Sequence, residues 1–325
     1  MSRLIFLLFI AVFHFYTLIA QQIPIYSQYT FNKFLINPAM AGSEGYTSVR
    51  VIAREQWIGF KGTPRTHAIT CESRILKNSF ISKSASIRKK RRMSSRSGRV
   101  GWGAHIYNDK NGPIDRTGLE GTYTYHIDFS NYRLSFGLTG SLFQFRLNSE
   151  KLIFSDNLND DLINGKKQSL YIPDANFGVV LSTNNYYAGI SVMQLLQSAI
   201  KFGNKQDSEY SLKRNFNLMG GYTYGINDNL SIEPSFLLKV SHPFRPQLDL
   251  TTTVIYKYDY WGGISFRTGS ALIIFAGTRI NRYFIGYAFD YNFNSLMSHT
   301  LGSHEIMASV KFGDNARRYK WLNVY

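Results

Sequence analysis

The chain is short of several things that a soluble enzyme or a disulfide-built module relies on. Its 325 residues include one cysteine, Cys71, which excludes a disulfide scaffold and any multi-cysteine metal site. Only 18% of residues are charged, and acids are the scarcer kind, with 21 Asp and Glu against 37 Lys and Arg. Beyond the N-terminal segment there is no apolar run of about 18 residues or more, which excludes a polytopic helical membrane protein. It does not exclude a membrane barrel, whose strands alternate between faces and average out in hydropathy. Aromatic residues and glycine are plentiful: 22 Tyr, 24 Phe and 26 Gly point to turn-rich β structure. With 44% hydrophobic residues, disorder is excluded. The net charge of +16 calls for acidic surroundings, whether nucleic acid, lipid headgroups or an acidic protein.

Compartment narrows that choice. Met1, Ser2 and Arg3 precede an apolar run from Leu4 to Ala20 in which only His14 and Thr17 are polar. Residues 1–20 therefore read as a secretory signal peptide. A cut after Ala20 would leave Leu18 where a small residue is usual, so an uncleaved anchor stands as the alternative. No cysteine stands directly after the run to be acylated as in a lipoprotein, and export removes nucleic acid from the partners.

From Tyr46 onward the hydrophobic period is two. Leu134, Phe136, Leu138, Gly140 and Leu142 share one face, while Arg133, Ser135, Gly137, Thr139 and Ser141 share the other. Near the C-terminus, Ile306, Ala308, Val310 and Phe312 oppose Glu305, Met307, Ser309 and Lys311. The same reading gives strands at 46–57, 66–76, 99–108, 118–127, 132–147, 175–182, 186–192, 212–224, 230–241, 248–257, 261–268, 271–278, 283–290 and 303–312. The expected fold is all-β, a transmembrane antiparallel β-barrel of about 14 strands over residues 46–312.

Connection length supplies a second signal. Brief turns at 129–131, 183–185, 226–229, 259–260 and 279–282 alternate with longer stretches at 108–117, 149–174, 193–211 and 291–302. An exported chain enters from the periplasm, so an even strand count puts the brief turns and both termini there, including a tail at 313–325. A soluble sandwich has no reason to sort its loops by parity. It remains the alternative, because alternation does not say whether a polar face meets a lumen or bulk solvent. In a barrel, Arg50, Arg54, Glu120, Glu233, Lys239, Asp249 and Arg267 would face the lumen. Their mixed signs favour an obstructed interior over a wide pore.

The sequence offers no catalytic, cofactor or metal site. His67, His105, His126, His242, His299 and His304 lack zinc-ligand spacing. Ser135 and His126 would make a nucleophile and base only if strand register joined them. Asp156, Asp160 and Asp161 miss the calcium-loop spacing. The densest charge is Arg88, Lys89, Lys90, Arg91 and Arg92, followed by Arg96 and Arg99, in a connection expected on the periplasmic side over 77–98. It reads either as a solvated loop or as a dock for an acidic partner or anionic headgroups.

Residues 21–45 do not alternate and read as an aromatic, turn-rich periplasmic leader, able to lie at the barrel's inner mouth or to plug its lumen. YSQYTFNKFLINPAMAGS from Tyr26 and REQWIGFKGTPRT from Arg54 are its neighbourhood's most distinctive pieces. Further along come PDANFGV from Pro173, YYAGIS from Tyr186, EPSFLLK from Glu233, GYAFDYN from Gly286 and GSHEI from Gly302. Together these resemble the PorP/SprF family of Bacteroidota outer-membrane proteins. The resemblance implies a non-enzymatic barrel that serves the type IX secretion system and, in gliding bacteria, the surface adhesin machinery. Implied partners are the secretion components, a large secreted adhesin client, a periplasmic peptidoglycan-binding lipoprotein and outer-membrane lipid. No cofactor is implied. The basic connection and the basic tail from Arg317 to Lys320 lie outside the matching pieces.

The candidate partner-binding residues follow from both readings. They are Tyr26, Gln28, Tyr29, Phe31, Asn32, Asn37 and Pro38 of the leader, and Gly302, Ser303, His304 and Glu305 at the last strand's entry. Trp57 and Phe60 join them, beside a tight hairpin made by Gly59, Gly62 and Pro64, as does the run Arg88 to Arg92. The expected function is export or surface anchoring of a large client through protein contacts; the alternative is a passive diffusion channel.

Overall fold

The structure is a computed structural model, and the residues it describes are 26–45, 47–60, 62–75, 99–148, 168–197, 199–201, 209–241, 245–293 and 300–312. A segment with one apolar and one polar face satisfies its backbone only in a sheet whose two sides meet different surroundings. These segments do so as β1 (Thr47–Glu55), β2 (Arg65–Ile75), β3 (Val100–Asn111), β4 (Ile114–Asp128), β5 (Arg133–Leu147), β6 (Gln168–Ser182) and β7 (Tyr186–Met193). A small separate hairpin, β8 (Ala199–Lys201) with β9 (Glu209–Ser211), follows. The wall resumes with β10 (Asn215–Tyr222), β11 (Tyr224–Asn227), β12 (Leu230–Ser241), β13 (Arg245–Tyr256), β14 (Tyr260–Arg267), β15 (Ala271–Ile280), β16 (Tyr283–Asn292) and β17 (Ser303–Phe312).

The ladders run antiparallel in chain order, β1 pairs with β17, and β10 pairs with both β7 and β12. With β10 and β11 forming one interrupted stave, the sheet closes as a 14-strand barrel. Closure leaves the wall without an edge strand, which removes the soluble sandwich reading. Outside lies a belt of half-exposed side chains, among them Val51, Ile69, Ile106, Leu119, Leu138, Ile190, Leu250, Ile264, Ile274 and Ile306. Exposed Tyr125, Tyr132, Tyr186, Tyr222, Tyr256, Tyr260 and Tyr283 lie beside the brief turns, at one rim of that belt.

Several boundaries differ from the sequence expectation. β3 and β4 run on to a two-residue turn at Gly112 and Pro113, so 108–117 is strand and not loop. The polar residues there pair across the ladder, with Asn108 donating to Asp115 and Thr117, each at 2.8 Å. β6 begins at Gln168 because β5 continues to face it as far as Leu147. Turns at 268–270 and 112–113 are brief although they lie on the rim of the long connections. The parity of loop length is therefore less clean than the sequence suggested.

The larger difference is inside. The inner face is not uniformly polar. One apolar patch groups Ile52, Ala68, Tyr107, Phe143, Phe145 and Ile172, another Ile255, Trp261, Ile273 and Phe275, and a third Met219 and Leu237. Each receives an aromatic ring from residues 26–45. Of the two places open to the leader, the inner mouth and the lumen, the described residues 26–45 take the lumen, because the wall offers their rings sockets and their backbone polar partners.

Candidate functional site

The leader's sequence explains its shape. Asn37 followed by Pro38 is a capping pair: the Asn37 side chain accepts from the Ala39 N–H at 3.0 Å, and Pro38 opens a short 3-10 turn, Pro38–Met40. Two more 3-10 turns, Tyr29–Phe31 and Lys33–Leu35, precede it. So tight a coil of short turns cannot satisfy its own backbone groups, and the wall must supply partners.

At its start, the Ser27 and Gln28 N–H groups donate to the Glu305 carboxylate at 2.7 and 2.9 Å. The Ser27 hydroxyl donates to Asp290 at 2.7 Å and accepts from the Arg54 guanidinium. Arg54 also reaches Asp290 at 2.7 Å and Glu305 at 3.3 Å, and Arg267 holds Asp249 at 3.1 Å. Arg54, Arg267, Asp249, Asp290 and Glu305 are all buried. Two guanidinium groups thus face three carboxylates within one lumen cluster, and the first leader residues complete it by donating to Glu305 and Asp290.

Further along, three rings enter the three sockets. Tyr26 lies in the first and meets His105 at 3.3 Å, whose other ring nitrogen faces Glu120 at 2.9 Å. Tyr29 lies in the third socket and shares a hydrogen bond of 3.1 Å with Thr251. Phe31 packs on Trp261 and Phe275, with ring centroids 5.2 and 6.1 Å apart. Between these, Asn32 donates to Thr70 at 3.2 Å, and the Ile36 carbonyl accepts from Ser191 and Asn217 at 2.6 and 3.2 Å.

Asn37 and Pro38 lie on a bare patch of wall. Gly137 and Gly178 face each other across β5 and β6, and Gly189 is adjacent on β7. A Cβ on Gly137 would collide with the Pro38 backbone, and one on Gly178 with the Asn37 amide oxygen. That lets the Asn37 amide donate to the carbonyls of Val179 and Ile190 at 3.2 and 2.9 Å. The leader then descends past His126, which faces the Ala41 carbonyl at 3.2 Å, and past Glu72, which accepts from Gly42 N–H at 2.9 Å.

Two leader charges are locked as well. Burial alone would lower the Lys33 amine, but Glu233 at 3.1 Å and the Tyr187 ring hold it above its ordinary value. Burial alone would raise the Glu44 carboxyl, yet Lys311 at 2.8 Å and Arg50 at 3.2 Å hold it below its ordinary value. With its folded value depressed, the Glu44 contact is fully present at neutral pH and is lost only as acid takes the pH down through that value.

Of the sequence candidates, Tyr26, Gln28, Tyr29, Phe31, Asn32, Asn37 and Pro38 all lie in this plug, and the structure brings Glu305 directly to it. Ser303 is buried and bonds the Trp57 N–H at 3.3 Å. Gly302 accepts from Ile58 N–H at 3.0 Å, which ties the 57–60 hairpin to the last strand's entry and away from the plug. His304 faces outward and meets the Tyr287 hydroxyl at 2.6 Å. Phe60 is exposed at the same rim. Arg88, Lys89, Lys90, Arg91 and Arg92 lie outside the described residues, as do the signal segment, the tail, Asp156, Asp160 and Asp161.

Sequence reasoning placed Arg54, Glu233 and Arg267 in the lumen but did not see Asp290, Glu72, Gly137 or Gly178 as partners of the leader. Four signals were in hand: Asp290 lies in GYAFDYN, Gly178 in PDANFGV, Gly189 in YYAGIS and Glu233 in EPSFLLK.

The Ser135–His126 pair does form, at 2.8 Å, because the register puts the two residues opposite each other. The far nitrogen of His126 faces a backbone carbonyl and no carboxylate, so the pair lacks the group that would orient and stabilise an imidazolium. Its observed work is to anchor the plug. Among the described residues no cluster of His, Cys, Asp and Glu could hold a metal ion.

Comparison with known proteins gives both structural neighbours and a family. Among solved structures, the chain is similar to a TodX deltaS2S3 mutant monoaromatic hydrocarbon channel, with 10% identity, 86% of this chain and 93% of that one covered, and a TM-score of 0.46. It is similar to a Pseudomonas aeruginosa FadL homologue, with 11% identity, 89% and 94% covered, and a TM-score of 0.41. The Acinetobacter baumannii outer membrane protein Omp33 gives 8%, 83% and 99%, and 0.42. None of the curated proteins compared with the chain matches it. Residues 18–310 match the family described as Type IX secretion system membrane protein PorP/SprF. The chain is therefore an outer-membrane β-barrel that belongs to the PorP/SprF family of type IX secretion system membrane proteins.

Proposed function

We propose that this barrel is a non-enzymatic accessory of type IX secretion, required for export or surface anchoring of a large adhesin client, and that it acts through protein contacts and not by conducting solutes. The observation that carries the reading is the filled lumen: residues 26–45 bond to β1, β2, β4, β6, β7, β10, β12, β13, β16 and β17, and so reach around the wall. A diffusion channel needs an open constriction, whereas a scaffold does not. In this reading residues 1–20 are a cleaved signal peptide and the rim of brief turns faces the periplasm. There the other secretion components and a peptidoglycan-binding lipoprotein would meet it. The outer belt meets outer-membrane lipid, the source is a member of the Bacteroidota, and in a gliding one the client belongs to the surface adhesin machinery.

Quantitative mass spectrometry of medium and cell surface tests this, comparing a deletion strain with its parent and a complemented strain. Loss of one or a few very large surface proteins is the expected outcome. An unchanged set of secreted and surface proteins would overturn the reading. In planar bilayers the intact protein is expected to give no large steady single-channel steps, and a variant lacking residues 26–45 to give them. Equal steps from both would favour the diffusion channel.

A further inference from the structure

Charge on the outward face of the wall is confined to one place. Among the described side chains of the wall strands, alternation turns Glu55, Arg65, Lys110, Asp115 and Arg146 outward and every other Lys, Arg, Asp and Glu inward. The ladders set Glu55 opposite Arg65, Arg65 opposite Lys110, Lys110 opposite Asp115 and Asp115 opposite Arg146. These side chains therefore form a single row across β1 to β5, at the rim away from the brief turns. Where β14, β15 and β16 reach the same rim, their outward residues are Phe266, Leu272 and Tyr291. A charge facing lipid is costly at the membrane midplane and nearly neutral at its interface, so the row marks the headgroup level. Arg65, Lys110 and Arg146 are exposed. Arg65 is bridged to Glu55 at 3.2 Å. Asp115 accepts from Asn108 at 2.8 Å and Arg146 donates to Gln144 at 3.1 Å, while neither Lys110 nor Arg146 has an ion pair among the described residues. A cavity of about 480 Å³ opens here, lined by these three cations, Asp115 and the turn at Gly112 and Pro113.

Toward the membrane the same strands change character in steps. Two residues along, about 7 Å, lies a row of His67, Asn108, Thr117, Gln144 and Tyr171, and the next is Ile69, Ile106, Leu119 and Leu142. Beyond it Cys71, Ala104, Gly121, Gly140 and Ala175 make a shallow trough, closed on its far side by Trp102, Tyr123, Leu138 and Phe177. Charge, then amide and hydroxyl, then aliphatic surface is the order of groups along an amphiphile from phosphate to acyl chain. A free anion or an acidic protein loop would use the first row alone. The charged row also has a length: Arg65 and Arg146 are three strand spacings apart, about 14 Å, too far for one phosphate to bridge. Asp115, between Lys110 and Arg146, can only accept, so it suits hydroxyl groups and repels phosphate. Cation, carboxylate, cation therefore matches phosphate, sugar, phosphate.

We propose that this strip of β2 to β5 binds a glycolipid of the outer leaflet whose sugar head carries a phosphate at each end. One phosphate lies at Arg65 and Lys110 and the other at Arg146, the sugar hydroxyls donate to Asp115, and the acyl chains run over Ile106 and Leu119 into the trough. The proposal rests on the reading that the brief turns face the periplasm, which puts the row in the outer leaflet.

The full-length protein in detergent is titrated with diphosphoryl lipid A, and bound lipid is read by native mass spectrometry. Saturable binding is expected, at least about tenfold tighter than that of monophosphoryl lipid A or phosphatidylglycerol. Arg146→Gln is expected to remove most of the preference for the second phosphate, and Lys110→Gln combined with Arg146→Gln to weaken binding of diphosphoryl lipid A by at least about tenfold. Lys257→Gln, in a turn at the opposite rim, should change nothing. Gly121→Leu fills the trough and leaves the charges in place; it is expected to weaken binding roughly threefold, and serves if the charge variants fail the heat-modifiability check for a folded barrel. No saturable binding to the intact chain, equal binding by the folded double variant, or an equal affinity for phosphatidylglycerol overturns the site. So does displacement of the lipid by an equal concentration of inorganic phosphate, which would make this a site for the free anion. Orientation is judged apart from the lipid. On intact cells Asn111→Cys should react with a membrane-impermeant maleimide above the level of the unsubstituted chain, whereas reaction only after lysis would put the row in the inner leaflet and overturn the reading on which the proposal rests.

Discussion

Arg54→Met is expected to release the plug. Arg54 is the only cation within 3.5 Å of the Glu305 carboxylate among the described ion pairs, and it also bonds Asp290 and the Ser27 hydroxyl. Methionine fills similar volume but leaves two buried carboxylates, with Arg267 the remaining cation near Asp290 at 4.0 Å. Breaking a buried pair from one side costs about 3–5 kcal/mol, because the partner's charge stays behind without compensation. The barrel's own ladder does not depend on this contact, so the loss should fall on residues 26–45. Protease cleavage within that segment and single-channel conductance in planar bilayers are the readouts, with heat-modifiability reporting the intact wall. Arg54→Lys keeps the charge and loses the forked geometry, so it should lie between the wild type and Arg54→Met. A plug equally protected in all three proteins would refute the clamp.

Gly178→Val is expected to lift Asn37 and Pro38 off the wall. The new Cβ would overlap the Asn37 amide oxygen and lie 3.1 Å from Pro38 Cδ, and Val adds two methyl groups beyond it. Asn37 cannot yield by rotating alone, since its amide already holds Ala39, Val179 and Ile190. Overpacking costs about 1–3 kcal/mol, and each lost hydrogen bond about 1 kcal/mol more. Valine is at home in a strand, so β6 itself should tolerate the change. The sign is thus opposite for wall and plug: an unaltered barrel band on a gel, together with faster protease cleavage near Asn37. Gly137→Val should act alike through the Pro38 backbone, whereas Gly140→Ala, where a Cβ meets nothing within 4 Å, is the neutral control. Should Gly140→Ala and Gly178→Val behave identically, close approach is not what these glycines provide.

The wall was legible because its cause is local. Strands such as β5 and β17 declare both faces in their own residues, and period two needs no knowledge of distant chain. The brief turns read at 183–185 and 279–282 were legible for the same reason, the second narrowing to 281–282 as β15 runs on to Ile280. What failed were strand ends beyond the apolar belt. Asn108, Asp115 and Thr117 look like loop residues until β3 and β4 give them one another. The inner sockets were missed too. Phe143, Phe145 and Trp261 keep the alternation of their strands but put apolar rings on the inward, otherwise polar face, and no local rule separates a ring for lipid from a ring for a plug.

By itself, then, the sequence determined the alternation that makes a closed antiparallel barrel, the polar lumen residues, and a leader whose Asn37–Pro38 pair fixes a tight turn. The pieces that carried the family resemblance supplied the residues of a single contact: Arg54, Gly178, Gly189, Glu233, Asp290 and Glu305 each touch or approach the leader. Only the tertiary structure decided that they do so together. Their separations along the chain, 263 residues between Ser27 and Asp290 and 142 between Asn37 and Val179, are spanned by barrel closure and by nothing local. A ring of strands brings sequence-distant inner faces within a few ångströms of one lumen. Where a leader can satisfy its backbone against those faces, the polar interior becomes a seat for it.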